Sequence, residues 1–101
     1  MPIRIHHAPP ILTLTLSGDI DHHSARSLML SLDREVAQRL PRRLILDLSE
    51  VSFMDSSGIA LLLRCRRQCG ELGCELVVSQ VPDQAKKVLV AAGLDKLLPL
   101  S

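Results

Sequence analysis

"LILDLSEVSFMDSSGIALLL", residues 44–63, carries the transition on which the fold turns. Its opening "LILDL", residues 44–48, is short, continuous and apolar, the pattern of a strand covered on both faces. Asp55, Ser56, Ser57 and Gly58 interrupt the apolar character, and a second apolar run starts at once. That run predicts a helix from near Ser56 to about Gly70. The local plan is strand, small hydroxyl residues, helix.

Upstream, "ILTLTL" alternates strictly, with Leu12, Leu14 and Leu16 facing one way and Thr13 and Thr15 the other, as in a half-buried strand. "IRIHH" before it fits an antiparallel neighbour, with Ala8, Pro9 and Pro10 in the turn; proline favours an edge. After Gly18 the period lengthens: Ala25, Leu28, Met29, Leu32 and Val36 recur at helical spacing, Asp21 stands where an N-cap belongs, and Pro41 closes the helix. Downstream, "CELVVS" reads as a strand, and Pro82 suits the first turn of a third helix. Ala85, Val88, Leu89 and Ala92 line that helix, with Gly93 as its C′ residue. "KLLPL" offers a last short strand. The expected order is β-β-α-β-α-β-α(-β). Helices alternating with strands imply right-handed parallel crossovers, so the fold class is α/β, a mixed β-sheet with helices packed on it. Residues 1–101 are expected to form a single domain.

Composition narrows the function. Of 101 residues, 47% are apolar and 23% charged, an ordinary globular balance. Phe53 is the lone aromatic, so the core is expected to be aliphatic, and the composition argues against base-stacking platforms for single-stranded nucleic acid. A net charge of +1 gives no reason to expect nucleic acid or an anionic membrane as partner. The cluster Arg64, Arg66 and Arg67 reads as a solvated helix face. No apolar stretch reaches the ~18 residues of a membrane span, and "MPIRIHHAPP" lacks a signal peptide's apolar segment. An odd number of cysteines, Cys65, Cys69 and Cys74, points to a reducing compartment, hence cytoplasm. Cys65 and Cys69 share i,i+4 spacing, but with no histidine nearby in sequence they read as small buried apolar residues rather than metal ligands.

The "DSSG" segment allows several chemistries. Ser56 or Ser57 can cap the helix, and Gly58 can allow close backbone approach. A nucleophile elbow needs G-x-S-x-G, and Met54 holds its first glycine position; a hydrolase would also need one of His6, His7, His22 or His23 beside Ser56. A phosphate-binding loop needs more glycines and a lysine. The remaining alternative is that the serine is modified. A phosphate at a helix N-terminus meets free amides and the positive end of the dipole. Asp55 adjoins it, and Asp19 and Asp21 lie close if the loop after the second strand reaches the same end of the sheet. His22 and His23 beside Asp21 read as a polar helix start.

Together these segments resemble a family. The quoted stretch is similar to the core signature of the STAS domain, in particular of bacterial anti-sigma factor antagonists. "LSGDIDHHSA" is similar to its G-x-(L/I)-D segment, and "AKKVLVAAGLDKLLPL" to its third helix and closing stretch. The resemblance implies a STAS-like fold over the chain and a binding module that is not an enzyme, with no cofactor and no metal. The unphosphorylated form would bind an anti-sigma factor that is also a serine kinase, releasing the sigma factor. Phosphorylation of Ser56 would switch it off, and a metal-dependent serine phosphatase would restore it. The implied partner-binding residues are Asp21, Met54, Asp55, Ser56, Ser57, Gly58 and Ile59, with no direct contact to nucleic acid and no membrane insertion. Ala60 and Arg64 depart from the family pattern, which often has glycine at both places. The alternative implied role is an accessory subunit of a membrane transport ATPase complex. From the residues themselves, the run 59–63 is apolar all round, more than packing on a sheet requires.

Overall fold

Leu12, Leu14 and Leu16 are fully buried, as the alternation requires. In the computed structural model, which describes residues 3–101, they lie on β2 (Ile11–Ile20). β1 (Ile3–Ala8) pairs with β2 antiparallel as an edge strand, Ala8 opposite Ile11. β3 (Arg43–Met54) and β4 (Glu75–Ser79) add parallel strands, giving the order β1-β2-β3-β4. The crossovers are α1 (Ala25–Arg39) and α2 (Ser56–Leu72). Both step the chain in one direction along the sheet, so right-handed connections put both helices on one face. α3 (Asp83–Ala91) and a 3-10 turn, Leu94–Lys96, follow β4. The result is the expected small α/β domain. One aliphatic core joins Leu44, Leu46 and Leu48 to Leu28, Leu32 and Val36 of α1, Leu61, Leu62 and Cys65 of α2, and Leu89 of α3.

Several boundaries differ from the sequence reading. β3 continues six residues past Leu48, to Met54, because its pairing with β2 resumes after irregularities between Thr15 and Ser17 and between Gly18 and Asp19. Nor is "LILDL" equally covered on both faces: Leu44, Leu46 and Leu48 are fully buried, but Ile45 and Asp47 are half-buried on the other side. The regular part of α1 begins at Ala25, whose amide donates to Asp21 O at 2.9 Å, so Ser24 is the formal N-cap and Asp21 supports the turn before it. α1 ends at Arg39, with Leu40 left-handed (φ 44°) ahead of Pro41, where a helical conformation is disfavoured. α2 runs past Gly70 to Leu72 and closes at Gly73, which adopts φ 70°. Pro82 is the N-cap of α3 rather than part of its first turn. "KLLPL" supplies only a parallel bridge from Leu100 to Val78.

Gly58 sits in the first turn of α2 against the buried Met54, and a Cβ there would collide with the Met54 side chain. Overpacking of this kind costs roughly 1–3 kcal/mol, against about 1 kcal/mol gained from alanine's helix propensity. Gly58→Ala is therefore expected to lower stability in the wild-type background. In a Met54→Ala background the same substitution has room and should raise it, and denaturant unfolding of the four proteins reads the change of sign.

Candidate functional site

The end of the paired strands β2 and β3 builds the site. Ile20 is opposite Met54, and the next amide, Asp55 N, donates to Ile20 O at 3.1 Å. Asp19, at the end of β2, and Asp21, in the turn after it, are thereby fixed at the same end of the sheet as Asp55 and Ser56. Ser52 Oγ donates to Asp19 Oδ1 at 2.9 Å, and Ser24 Oγ donates to Asp19 O at 2.7 Å. The first hydroxyl ties Asp19 to β3 and the second ties it to the start of α1.

Asp21 Oδ1 accepts from His23 N at 2.9 Å and Ser24 N at 3.0 Å. The Ser24 amide, followed in effect by that of His23 and its nearby ring, favours the carboxylate and holds it below its ordinary 3.8. His22 and His23 are exposed, their rings edge to face 4.8 Å apart.

Asp55 caps α2. Its Oδ1 accepts from Ser57 N at 2.7 Å, and its carbonyl accepts from Gly58 N at 3.0 Å. Capping therefore falls to neither serine. Asp55 already takes the Ser57 amide with its carboxylate and the Gly58 amide with its carbonyl, two of the amides that a phosphate on Ser56 was expected to meet, so an added phosphate stands beside Asp55. Ser56 is exposed at the first position of α2, and no hydrogen bond to its Oγ is formed among the described residues. Ser57 and Ile59 are half-buried. Met54 and Gly58 are buried, so they form the floor of the site rather than its contact surface.

The run 59–63 divides by depth. Leu61 and Leu62 enter the core, whereas Ala60 is exposed and Leu63 is 39% exposed. Phe53, one residue before Met54, is 44% exposed, an apolar contact that the composition alone assigned no place. Arg64 Nη2 lies 2.6 Å from Asp33 Oδ2 of α1, so its guanidinium turns sideways to the neighbouring helix. Cys65, Cys69 and Cys74 are free and buried. Burial, with the Cys69 thiol beside it, pushes Cys74 up to about 12; the Cys65 thiol and burial push Cys69 up as well, so both stay protonated at neutral pH. Among the described residues no group of three His, Cys, Asp or Glu side chains is arranged to hold a metal, no histidine hydrogen-bonds Ser56, and no helix is long and apolar enough to cross a membrane.

The site is thus an exposed hydroxyl at the end of a mixed sheet, next to the carboxylate that caps α2. The family model of the STAS domain matches residues 2–101, and the chain belongs to that family. It is 29% identical over 100 residues to an anti-sigma F factor antagonist of Paenibacillus polymyxa, across 99% of this chain and 86% of the relative. An anti-sigma factor antagonist structure from Mycobacterium paratuberculosis superposes with a TM-score of 0.86 at 26% identity, covering 97% and 82% of the two chains. The Bacillus cell fate determinant SpoIIAA in its phosphorylated form shares the fold, with a TM-score of 0.73 at 21% identity over 98% of this chain and 90% of that one.

The geometry at Asp21 sets a pH dependence. A carboxylate held below its unfolded value, about 3.9, adds stability that is present above that value. The contribution is lost as pH falls through the lower, folded value. Carboxyl-carbon NMR should find the Asp21 midpoint below 3.8, and Asp21→Asn should flatten the acid limb of the stability curve.

Proposed function

We propose that this chain is an anti-sigma factor antagonist controlled at Ser56. In the unmodified state it binds an anti-sigma factor that is also a serine kinase and frees the sigma factor. Phosphorylation of Ser56 ends the interaction, and a metal-dependent serine phosphatase restores it. The chain works in the cytoplasm as a binding partner, without catalysis or cofactor of its own. Its contact surface is the Asp21 turn with Asp55, Ser56, Ser57 and Ile59, underlain by Met54 and Gly58.

One observation carries this reading: Ser56 is exposed at the start of α2 while Asp55, not Ser56, caps the helix. The hydroxyl has no structural duty that a modification would cancel. A phosphate there adds up to about two negative charges beside Asp55, on the end of the sheet that also carries Asp19 and Asp21. Two like unit charges ~4 Å apart repel by about 4 kcal/mol at an effective dielectric of ~20. A tenfold loss of affinity needs only about 1.4 kcal/mol. The names of the Paenibacillus relative and the Mycobacterium structure support the antagonist role, and the phosphorylated SpoIIAA structure supports a fold that accommodates a phosphate.

Incubation with a cognate anti-sigma kinase and ATP is expected to add one phosphate, mapped to Ser56 by mass spectrometry, and Ser56→Ala should remain unmodified. Ser56→Asp should keep its thermal midpoint within a few degrees. Phosphate found only elsewhere would overturn the assignment, and recovery of a transporter ATPase in place of a sigma regulator would favour the accessory-subunit role.

A further inference from the structure

β3 has a long unpaired margin. β4 pairs with it only from Arg43 to Asp47, whereas β3 continues to Met54. In a strand, a residue's N–H and C=O point to the same side and its neighbour's to the other. Asp55 N points toward β2 and donates to Ile20 O at 3.1 Å. The Met54 amide and carbonyl therefore point away from β2, toward the margin that β4 leaves open. The Gln84 side chain fills that place: Met54 N donates to Gln84 Oε1 at 2.8 Å, and Gln84 Nε2 donates to Met54 O at 2.8 Å. One side-chain amide thus stands in for the backbone of a missing strand. Gln84 lies in the first turn of α3, whose Ala85 and Leu89 are anchored in the core.

We propose that Gln84 is a positioning residue for the Ser56 hydroxyl. The junction from β3 to α2 is gripped on both sides, by Ile20 O through Asp55 and by Gln84 through Met54, immediately before the cap that presents Ser56. A carboxamide is required, because only a side chain with a donor and an acceptor in one plane satisfies both Met54 groups. Alanine at position 84 leaves both groups without that partner and frees the junction on one side. The residue acts through Met54 and touches no reacting atom. The effect on phosphate transfer rests on the reading of Ser56 as the acceptor; the effect on the junction does not.

The test compares wild type, Gln84→Ala and Gln84→Glu by amide hydrogen exchange, expressed as protection factors. Gln84→Ala should lower protection at Met54 and Ser57 by tenfold or more, leaving the amides of the β1–β2 hairpin unchanged. Gln84→Glu keeps the acceptor for Met54 N, but its carboxylate cannot donate to Met54 O. Protonation restores the donor, so protection at Met54 should return toward the wild-type value as pH falls. Unchanged protection from Met54 to Ser57 in Gln84→Ala, or an even loss across the whole sheet, overturns the proposal, as does a Gln84→Glu profile that does not recover in acid. In parallel, kcat/KM for phosphate transfer to Ser56 by an anti-sigma kinase should fall about tenfold in Gln84→Ala. Wild type that takes no phosphate at Ser56 would defeat the functional reading alone, and the exchange data would still decide the role of Gln84.

Discussion

The parallel pairing of β2 with β3 is the constraint on which the rest of the molecule depends. It sets Leu12, Leu14, Leu44 and Leu46 in one buried layer, and it carries on until Ile20 meets Met54. Without that last stretch the two loops leaving the sheet would separate. With it, the single bond from Asp55 N to Ile20 O sets an acidic turn and a helix start beside each other. At the irregularities between Thr15 and Ser17 and between Gly18 and Asp19, β3 gains one residue on β2 each time, and the pairing then resumes.

From that juncture the chemistry follows from charge. Asp55 satisfies the amide end of α2, and Asp21 satisfies the turn before α1. Each carboxylate is held by amide donors, so the surface is negative and well ordered before any modification. On the proposed reading, a partner that approaches closely tolerates a neutral hydroxyl in such a place and rejects a dianion. Because Asp55 does the capping, the proposed modification of Ser56 leaves the helix start intact. The exposed Phe53 gives the same end an apolar contact, and the exposed Leu63 gives α2 another farther along the helix.

Much of this was legible in the sequence because local pattern and tertiary role coincide. Strict alternation in "ILTLTL" and helical spacing from Ala25 to Val36 each have one solution that buries the leucines. The "DSSG" segment is a helix start, as its residues indicate. What local pattern could not supply was the partner of each polar group. Asp55 and the two serines are all good capping residues, and only the backbone conformation of Asp55 (φ −109°, ψ −167°) settles which one accepts. Met54 and Gly58 looked like neighbours of the hydroxyl along the chain, yet the pleat and the first helical turn direct them inward. Gln84 carried no local signal, since its bonds cross 30 residues to a strand margin whose existence depends on β4 being short.

The account is tested most directly by the affinity of the stoichiometrically Ser56-phosphorylated chain for the anti-sigma factor, measured by calorimetry beside the unmodified chain. It predicts at least a tenfold weaker Kd on phosphorylation, with an unchanged fold by circular dichroism. Equal or tighter binding of the phosphorylated chain would contradict it.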